Sequence, residues 1–347
     1  MTAGFAPSFA INGREVGGGA PCLVIAEAGV AHFGSMEKAR ALVDLARLAQ
    51  ADVVKFQHFR SDRLFGPSAP DWRRRMSSRQ LPDTDMAALS RYCAEQKITF
   101  VCTAHDEVSL DFLDRELDVP AFKVGSGEVE NWPFLANIAR RGKPVIVSTG
   151  LYTLEHIRRT VDVFAENGCR ELAILHCVTS YPADPATINL DVMGQIRTFF
   201  SGPVGYSDHT AGTAVPLAAV ALGAEVLEKH IAMDFNVPDA QDWKVSCGPA
   251  DFPKFVSDLR AVEAARGGKQ KSLSAAEAQS ALWARKSITS ACEIPKGARI
   301  TGDMLILQRP GDGLSGSHWN DIVGAVATRP ISTGTKIGWD MIEQRSN

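Results

Sequence analysis

The chain has 347 residues, 45% hydrophobic and 22% charged, with a formal net charge of −3. That length suggests about two domains and allows a large core. The slightly acidic balance excludes the broad basic field of a nucleic-acid or anionic-membrane binder, so an anionic substrate must be held by a few local cations. No apolar run is long enough to span a bilayer. The opening MTAGFAPSFAINGREVGGGA lacks the basic start and apolar core of a signal peptide. The seven cysteines (Cys22, Cys93, Cys102, Cys169, Cys177, Cys247 and Cys292) are scattered and form no CxxC pair. Reduced thiols in a cytoplasmic protein are expected, rather than disulfides or a structural zinc site.

Residues 9–16 (FAINGREV) carry Asn12-Gly13, the dipeptide of a tight hairpin turn, and predict a short hairpin closing the floor of whatever follows. Apolar runs then recur at 22–28, 52–57, 99–104, 121–126, 144–150, 172–178, 203–208 and 226–231. Most are continuous rather than alternating, as in parallel strands covered on both faces. Between them, 36–50, 154–167 and 214–223 have helical texture, with Ser35 placed as the N-cap of the first. Eight such units argue for an α/β (β/α)8 TIM barrel over a doubly wound open sheet. The predicted organisation is a hairpin plus barrel over 1–264 and a Gly/Ser/Lys/Ala-rich linker over 265–284. A small β-rich domain follows over 285–347, marked by turn signals such as Arg309-Pro-Gly-Asp-Gly313.

In a barrel the catalytic groups sit at the carboxyl ends of the strands. Here those ends supply Glu27, then Lys55 and Gln57, Thr103, Lys123 with Ser126 and Glu128, Ser148, Thr179 with Tyr181, Ser207-Asp208-His209, and Glu228-Lys229-His230. A charge or hydroxyl at nearly every strand end is hard to explain structurally, because each buried charge needs a partner. Two lysines among hydroxyls suit a substrate bearing phosphate and carboxylate. The structural alternative pairs Lys55 and Lys123 with Glu27 and Glu128. His209 and His230 end adjacent strands and could share a metal whose remaining positions stay open. The run Arg73-Arg74-Arg75 is read as a solvated helix face.

The runs IAEAGVAHFGS (25–35), DVVKFQ (52–57), FKVGSGE (122–128), VSTG (147–150), SYP (180–182) with Asn189-Leu190, GYSDHTAG (205–212) and EKH (228–230) resemble the sialic acid synthase family of N-acetylneuraminate, legionaminate and pseudaminate synthases. RPGDG (309–313) resembles that family's antifreeze-like SAF domain. The resemblance implies a transferase that condenses phosphoenolpyruvate with an N-acetylmannosamine-type aldehyde, giving a nine-carbon keto acid and phosphate. It implies that Lys55, Thr103, Lys123, Ser126, Ser148, Thr179 and Ser207 hold phosphoenolpyruvate. Gln57, Tyr181 and Asp242 fall on the sugar side. Glu27 lies at the reacting carbons, with Lys55 and Lys123 as its catalytic companions, and His209 and His230 bind Mn2+ or Mg2+. Arg309 would reach across a domain-swapped homodimer to the partner's sugar. The chain departs from the family at Ala31-His32, Thr103-Ala104-His105 and Ala240-Gln241-Asp242, and some relatives carry asparagine where Thr179 stands. These departures collect on the sugar side, so they bear on the acceptor rather than on the reaction. Rival readings are another barrel synthase using phosphoenolpyruvate and a sugar phosphate, a Schiff-base aldolase working through Lys123 or Lys55, and a non-catalytic carbohydrate- or ice-binding protein.

Overall fold

The computed structural model describes residues 4–268 and 270–343. Lys269 and residues 344–347, which fall in the expected linker and C-terminal domain, lie outside the described residues. The chain divides into two compact units, one up to Gly267 and one from Gly268.

The first unit opens with the hairpin β1 (Ser8–Ile11) and β2 (Arg14–Gly17). Its turn residues Asn12 and Gly13 both take positive φ, 49° and 79°, as a type I′ turn requires. Eight parallel strands follow: β3 (Leu23–Gly29), β4 (Val53–His58), β5 (Thr99–Ala104), β6 (Phe122–Val124), β7 (Val145–Ser148), β8 (Leu172–Cys177), β9 (Val204–Asp208) and β10 (Val226–His230). They close in sequence order, with β10 hydrogen-bonded to β3. Helices such as Met36–Leu48, Leu154–Glu166 and Ala214–Ala221 connect them, and the Ser35 side chain accepts from the Lys38 N–H as the N-cap of the first.

Period-two alternation along the strands builds the site. Inward-facing Leu23, Ile25, Val53, Val101, Ala121, Ile146, Ala173, Leu175 and Val226 form one apolar cluster, which the hairpin residues Phe9, Ile11 and Val16 join. The hairpin therefore closes the floor. One step of two further along the same faces come Glu27, Lys55, Thr103, Lys123, Ser148, Cys177, Ser207 and Glu228. The barrel interior is thus an oily plug below and a polar layer above.

The second unit pairs β11 (Ser287–Ser290) with β12 (Leu305–Gln308) and β13 (Val326–Ala327) with β14 (Ile342–Glu343), around Ile288, Ile294, Ile300, Ile322, Ile331 and Ile337. The stretch expected as a linker contains a helix, Ala275–Ala284. Ser274 and Glu277 form a capping box at its start, a local S-x-x-E signal that the Gly/Ser/Lys composition around it had masked.

Candidate active site

A cavity of about 350 Å³ opens over the polar layer. Glu27, Lys55, Gln57, Thr103, Lys123, Ser126, Ser148, Thr179, Tyr181, Ser207, His209, His230 and Asp242 all line it. Arg309 does not: it belongs to the second unit, where its Nε donates to Ala284 O at 3.1 Å and its guanidinium lies 5.5 Å over the Trp283 ring. A roomier groove of about 800 Å³ between Pro185, Leu190, Val192 and Val215 has Asp191 as its one charged residue and offers nothing that could do chemistry on an anion.

The charges on the cavity floor form one network. Lys55 Nζ lies 2.7 Å from Glu27 Oε2 and 3.8 Å from Glu228 Oε2, and Lys123 Nζ lies 3.6 Å from Glu228 Oε1. All four are buried, at 2–4% exposure. The pairing with Glu128 does not form: Glu128 accepts from Asn131 at 2.6 Å and faces His105 at 3.8 Å. Glu228, named among the strand-end groups but with no role expected of it, is the shared counter-charge of both lysines. Its signal was its place two residues before His230 on one inward-facing register.

Burial would raise the Glu228 carboxyl, but Lys123, Lys55 and the Ser207 hydroxyl hold it down at about 2. Burial pushes Lys123 below its ordinary range, with Glu228 opposing. Burial also acts to lower Lys55, but Glu228 and Glu27 outweigh it and carry Lys55 upward. Lys123 donates to Ser148 Oγ at 2.6 Å and to Val124 O at 3.0 Å, Lys55 to Thr103 Oγ1 at 3.3 Å, and Ser207 to Glu228 at 2.9 Å. Asp208 and Lys229, the alternate residues on the same two strands, face outward and satisfy each other at 2.5 Å with no exposure; they are structural.

Two glycines shape the walls. Gly29 has φ 53° at a register shift in β3, and a Cβ there would come within 3.1 Å of Glu27 Oε1. Gly150 donates its N–H to Ser126 Oγ at 2.9 Å, and a Cβ there would overlap Thr179 Oγ1 and Ser126 Oγ.

The His209 and His230 rings lie 5.3 Å apart between centroids. His209 Nδ1 donates to Val178 O at 2.8 Å, and the Tyr181 hydroxyl donates to Nε2 at 2.9 Å. In that tautomer the single Nε2 lone pair is the one that accepts from the Tyr181 hydroxyl. Burial holds His230 down at about 3 and so neutral; burial acts the same way on His209, but Cys177, the Val178 carbonyl and Glu228 outweigh it and carry His209 upward. Among the described residues no three His, Cys, Asp or Glu side chains converge as a metal cage. The pair fits an ion completed by water and substrate, not a closed structural site.

Arg75 departs from the solvated face expected of the Arg73-Arg74-Arg75 run. Arg73 and Arg74 lie on the solvated face of helix Pro70–Ser77, but Arg75 lines the cavity with Trp72, Met76 and Arg79. A long excursion between β4 and helix Asp83–Glu95 folds over the mouth, which periodicity within a single helix could not reveal.

Residues 42–271 match the family model described as the NeuB family, and 285–343 match the SAF domain. The chain belongs to the NeuB family. It is 36% identical to an N,N'-diacetyllegionaminic acid synthase of Legionella pneumophila over 96% of this chain and 98% of that one. It is 33% identical to the human N-acetylneuraminate-9-phosphate synthase over 85% of each. The solved structure of an N-acetylneuraminic acid synthetase from Leptospira borgpetersenii, in complex with citrate, superposes with a TM-score of 0.74 at 29% identity, over 80% of this chain and 96% of that one. This NeuB-family chain is an enzyme of the sialic acid synthase type, and its closed parallel barrel is the fold such relatives share. Among the described residues no helix is long and apolar enough to cross a membrane.

Proposed function

We propose that the cavity joins phosphoenolpyruvate to an N-acetylmannosamine-type aldehyde: the enol carbon bonds to the aldehyde carbon, water supplies the new keto oxygen, and phosphate leaves. The observation that carries this reading is the floor itself, where two buried lysines stand among hydroxyls. An ammonium ion has three donors. Lys123 gives two to Ser148 and Val124 and turns its remaining side toward Glu228. A phosphate and carboxylate arriving there meet fixed positive charge in a water-poor site, where such interactions are strongest. In this reading Thr103, Ser126, Ser148, Thr179 and Ser207 complete the phosphoenolpyruvate cradle. Gln57, Tyr181 and Asp242 face the sugar, and Glu27 stands between the two reactants. His209 and His230 would hold Mn2+ or Mg2+, which would supply Lewis acidity toward the aldehyde oxygen. The barrel would work in the cytoplasm as a homodimer, with Arg309 of the SAF domain reaching the cavity of a second copy. The nine-carbon product is of the N-acetylneuraminate or legionaminate type, with the pseudaminate type as the alternative.

A Schiff-base aldolase reading draws on the lowered Lys123, since a desolvated lysine is a better nucleophile. The two reactions separate cleanly. Phosphate release from phosphoenolpyruvate is expected to require an amino-sugar aldehyde, to stop with a chelator and to return with Mn2+ or Mg2+. Full activity after metal stripping would remove the metal role. Irreversible trapping of pyruvate by borohydride, without aldehyde-dependent phosphate release, would replace the synthase with the aldolase.

A further inference from the structure

A departing phosphate needs a proton. A phosphate monoester carries about two negative charges near neutral pH, and breaking its carbon–oxygen bond leaves one more electron pair on it. The cavity floor is badly placed to supply that proton. Lys55, against its burial, is carried upward by Glu228 and Glu27. Lys123 gives hydrogens to Ser148 and Val124 and faces Glu228 with its remaining side. His209 and His230 are the candidate metal ligands. Among the described residues one more imidazole lines the cavity, and nothing above uses it: His105.

The resemblance places the departure at Thr103-Ala104-His105 on the sugar side, yet in the structure His105 stands against the phosphoenolpyruvate residues of the reading above. It lies just past β5, and its N–H donates to His58 O at 3.2 Å, which extends the β4–β5 ladder by one bond. Thr103, two residues earlier, also lines the cavity. A Cβ on Gly125 would sit 3.7 Å from His105 Cε1 and 4.0 Å from Thr103 Cγ2. The imidazole, Thr103 and the Gly125-Ser126 turn therefore share one wall. Beside the ring, Glu128 turns Oε1 toward Nδ1 at 3.8 Å, while its Oε2 accepts from Asn131 at 2.6 Å. Glu128 is buried, and among the described residues His105 is the one basic side chain within 4 Å of it. A buried carboxylate calls for such a partner. With Nδ1 turned to the carboxylate, Nε2 is the ring nitrogen left for a ligand, the arrangement of an imidazole oriented for proton transfer.

We propose that His105, oriented by Glu128, is the catalytic acid that gives the departing phosphate its proton. This inference rests on the condensation reading above. Once water has added to the enol carbon, that carbon holds a hydroxyl and the phosphate ester. The bond from carbon to the ester oxygen breaks, the electron pair stays on the oxygen, and the Nε2 hydrogen passes to it. The hydroxyl closes to the keto group and releases its proton to solvent, which reprotonates the imidazole. His105 touches the reacting oxygen, and Glu128 is a positioning residue.

The test uses His105→Phe, which keeps a ring without nitrogen, and His105→Gln, which keeps a polar group without acidity. Each should lower kcat by about 100-fold, the scale of removing a general acid, with phosphoenolpyruvate and an N-acetylmannosamine-type aldehyde both saturating. The calorimetric Kd for phosphoenolpyruvate should rise by less than about tenfold, the scale of one hydrogen bond to a charged group, and the thermal melt should not move. Glu128→Gln should lower kcat by a smaller factor and leave that Kd unchanged. Sulfoenolpyruvate loses sulfate, which departs without a proton, so the native enzyme and both His105 variants should condense it at similar rates. Native-like kcat on phosphoenolpyruvate in both variants overturns the proposal. A raised Kd with kcat retained makes His105 an anchor for phosphate and overturns its acid role. Equal slowing on the phosphate and sulfate substrates overturns it too, as does early melting of both variants with both substrates lost alike, which makes the ring a structural partner of Glu128. If the native enzyme turns over and the variants match it, only His105 is removed. If the native enzyme releases no phosphate with any such aldehyde, the condensation reading falls and this role with it.

Discussion

Glu27→Gln is expected to lose about 100-fold or more in turnover, the scale of removing a general acid or base, while keeping its fold and its phosphoenolpyruvate binding. The carboxylate is fixed on both oxygens: Oε1 accepts from Gln57 Nε2 at 2.9 Å, and Oε2 lies 2.7 Å from Lys55 Nζ. Gly29 leaves Oε1 its room. A glutamine of the same shape can still accept one of those bonds, but it can neither move a proton nor balance a charge. The stability cost should be modest, because Lys55 keeps Glu228 at 3.8 Å as a second counter-charge and is not left alone in the barrel. Steady-state turnover, a phosphoenolpyruvate titration and a thermal melt decide the matter together. Normal turnover would take Glu27 out of the reaction. Poor turnover accompanied by a much lower melting temperature would make it a structural partner of Lys55 instead.

The barrel was legible because its strands are covered on both faces and so read as continuous apolar runs, and the strand ends were legible because polar residues interrupt those runs abruptly. The same logic blurred which charge faces in. Asp208 and Glu228 look alike in sequence, yet alternation sends one outward to Lys229 and the other inward to both floor lysines. Counting by two from Val226 would have separated them. The proposed pairing of Lys123 with Glu128 failed for a related reason: Glu128 lies past the end of β6, in a single 3-10 turn, where strand alternation no longer governs direction. The mouth was the least legible part. Arg75 differs from Arg73 and Arg74 only by which side of a two-turn helix it occupies, and that helix sits where a long loop chooses to fold. Arg309 marks a different limit, since whether it meets a substrate depends on an arrangement of chains that one chain's pattern does not encode.

The largest stability effect should come from Glu228→Gln. This carboxylate is 4% exposed, lies within 3.8 Å of both lysines and accepts from Ser207. Removing one partner of a buried ion pair costs about 3–5 kcal/mol, because the charge left behind stays out of water. Here two ammonium groups would be left with Glu27 as their remaining carboxylate. A loss near the low end of that range would lower the melting temperature of the barrel transition by roughly 6–12 °C for a unit of this size. The effect depends on pH in a defined direction. Glu228 is held at about 2 against an ordinary 4.5, so its contribution is complete above pH 4.5 and is lost as the pH falls toward 2. The gap between native protein and variant should therefore be full at neutral pH and close in acid. Phosphoenolpyruvate brings negative charge to the same lysines, so saturating ligand should raise the melting temperature of the variant more than that of the native protein. It should also bind the variant at least as tightly, since a like charge beside it is gone. A variant that melts with the native protein at pH 7 would mean that the lysines are neutralised by something other than Glu228. A variant destabilised as expected but not rescued by phosphoenolpyruvate would mean that the ligand's phosphate and carboxylate do not sit against Lys55 and Lys123, and the assignment of the floor would fall with it.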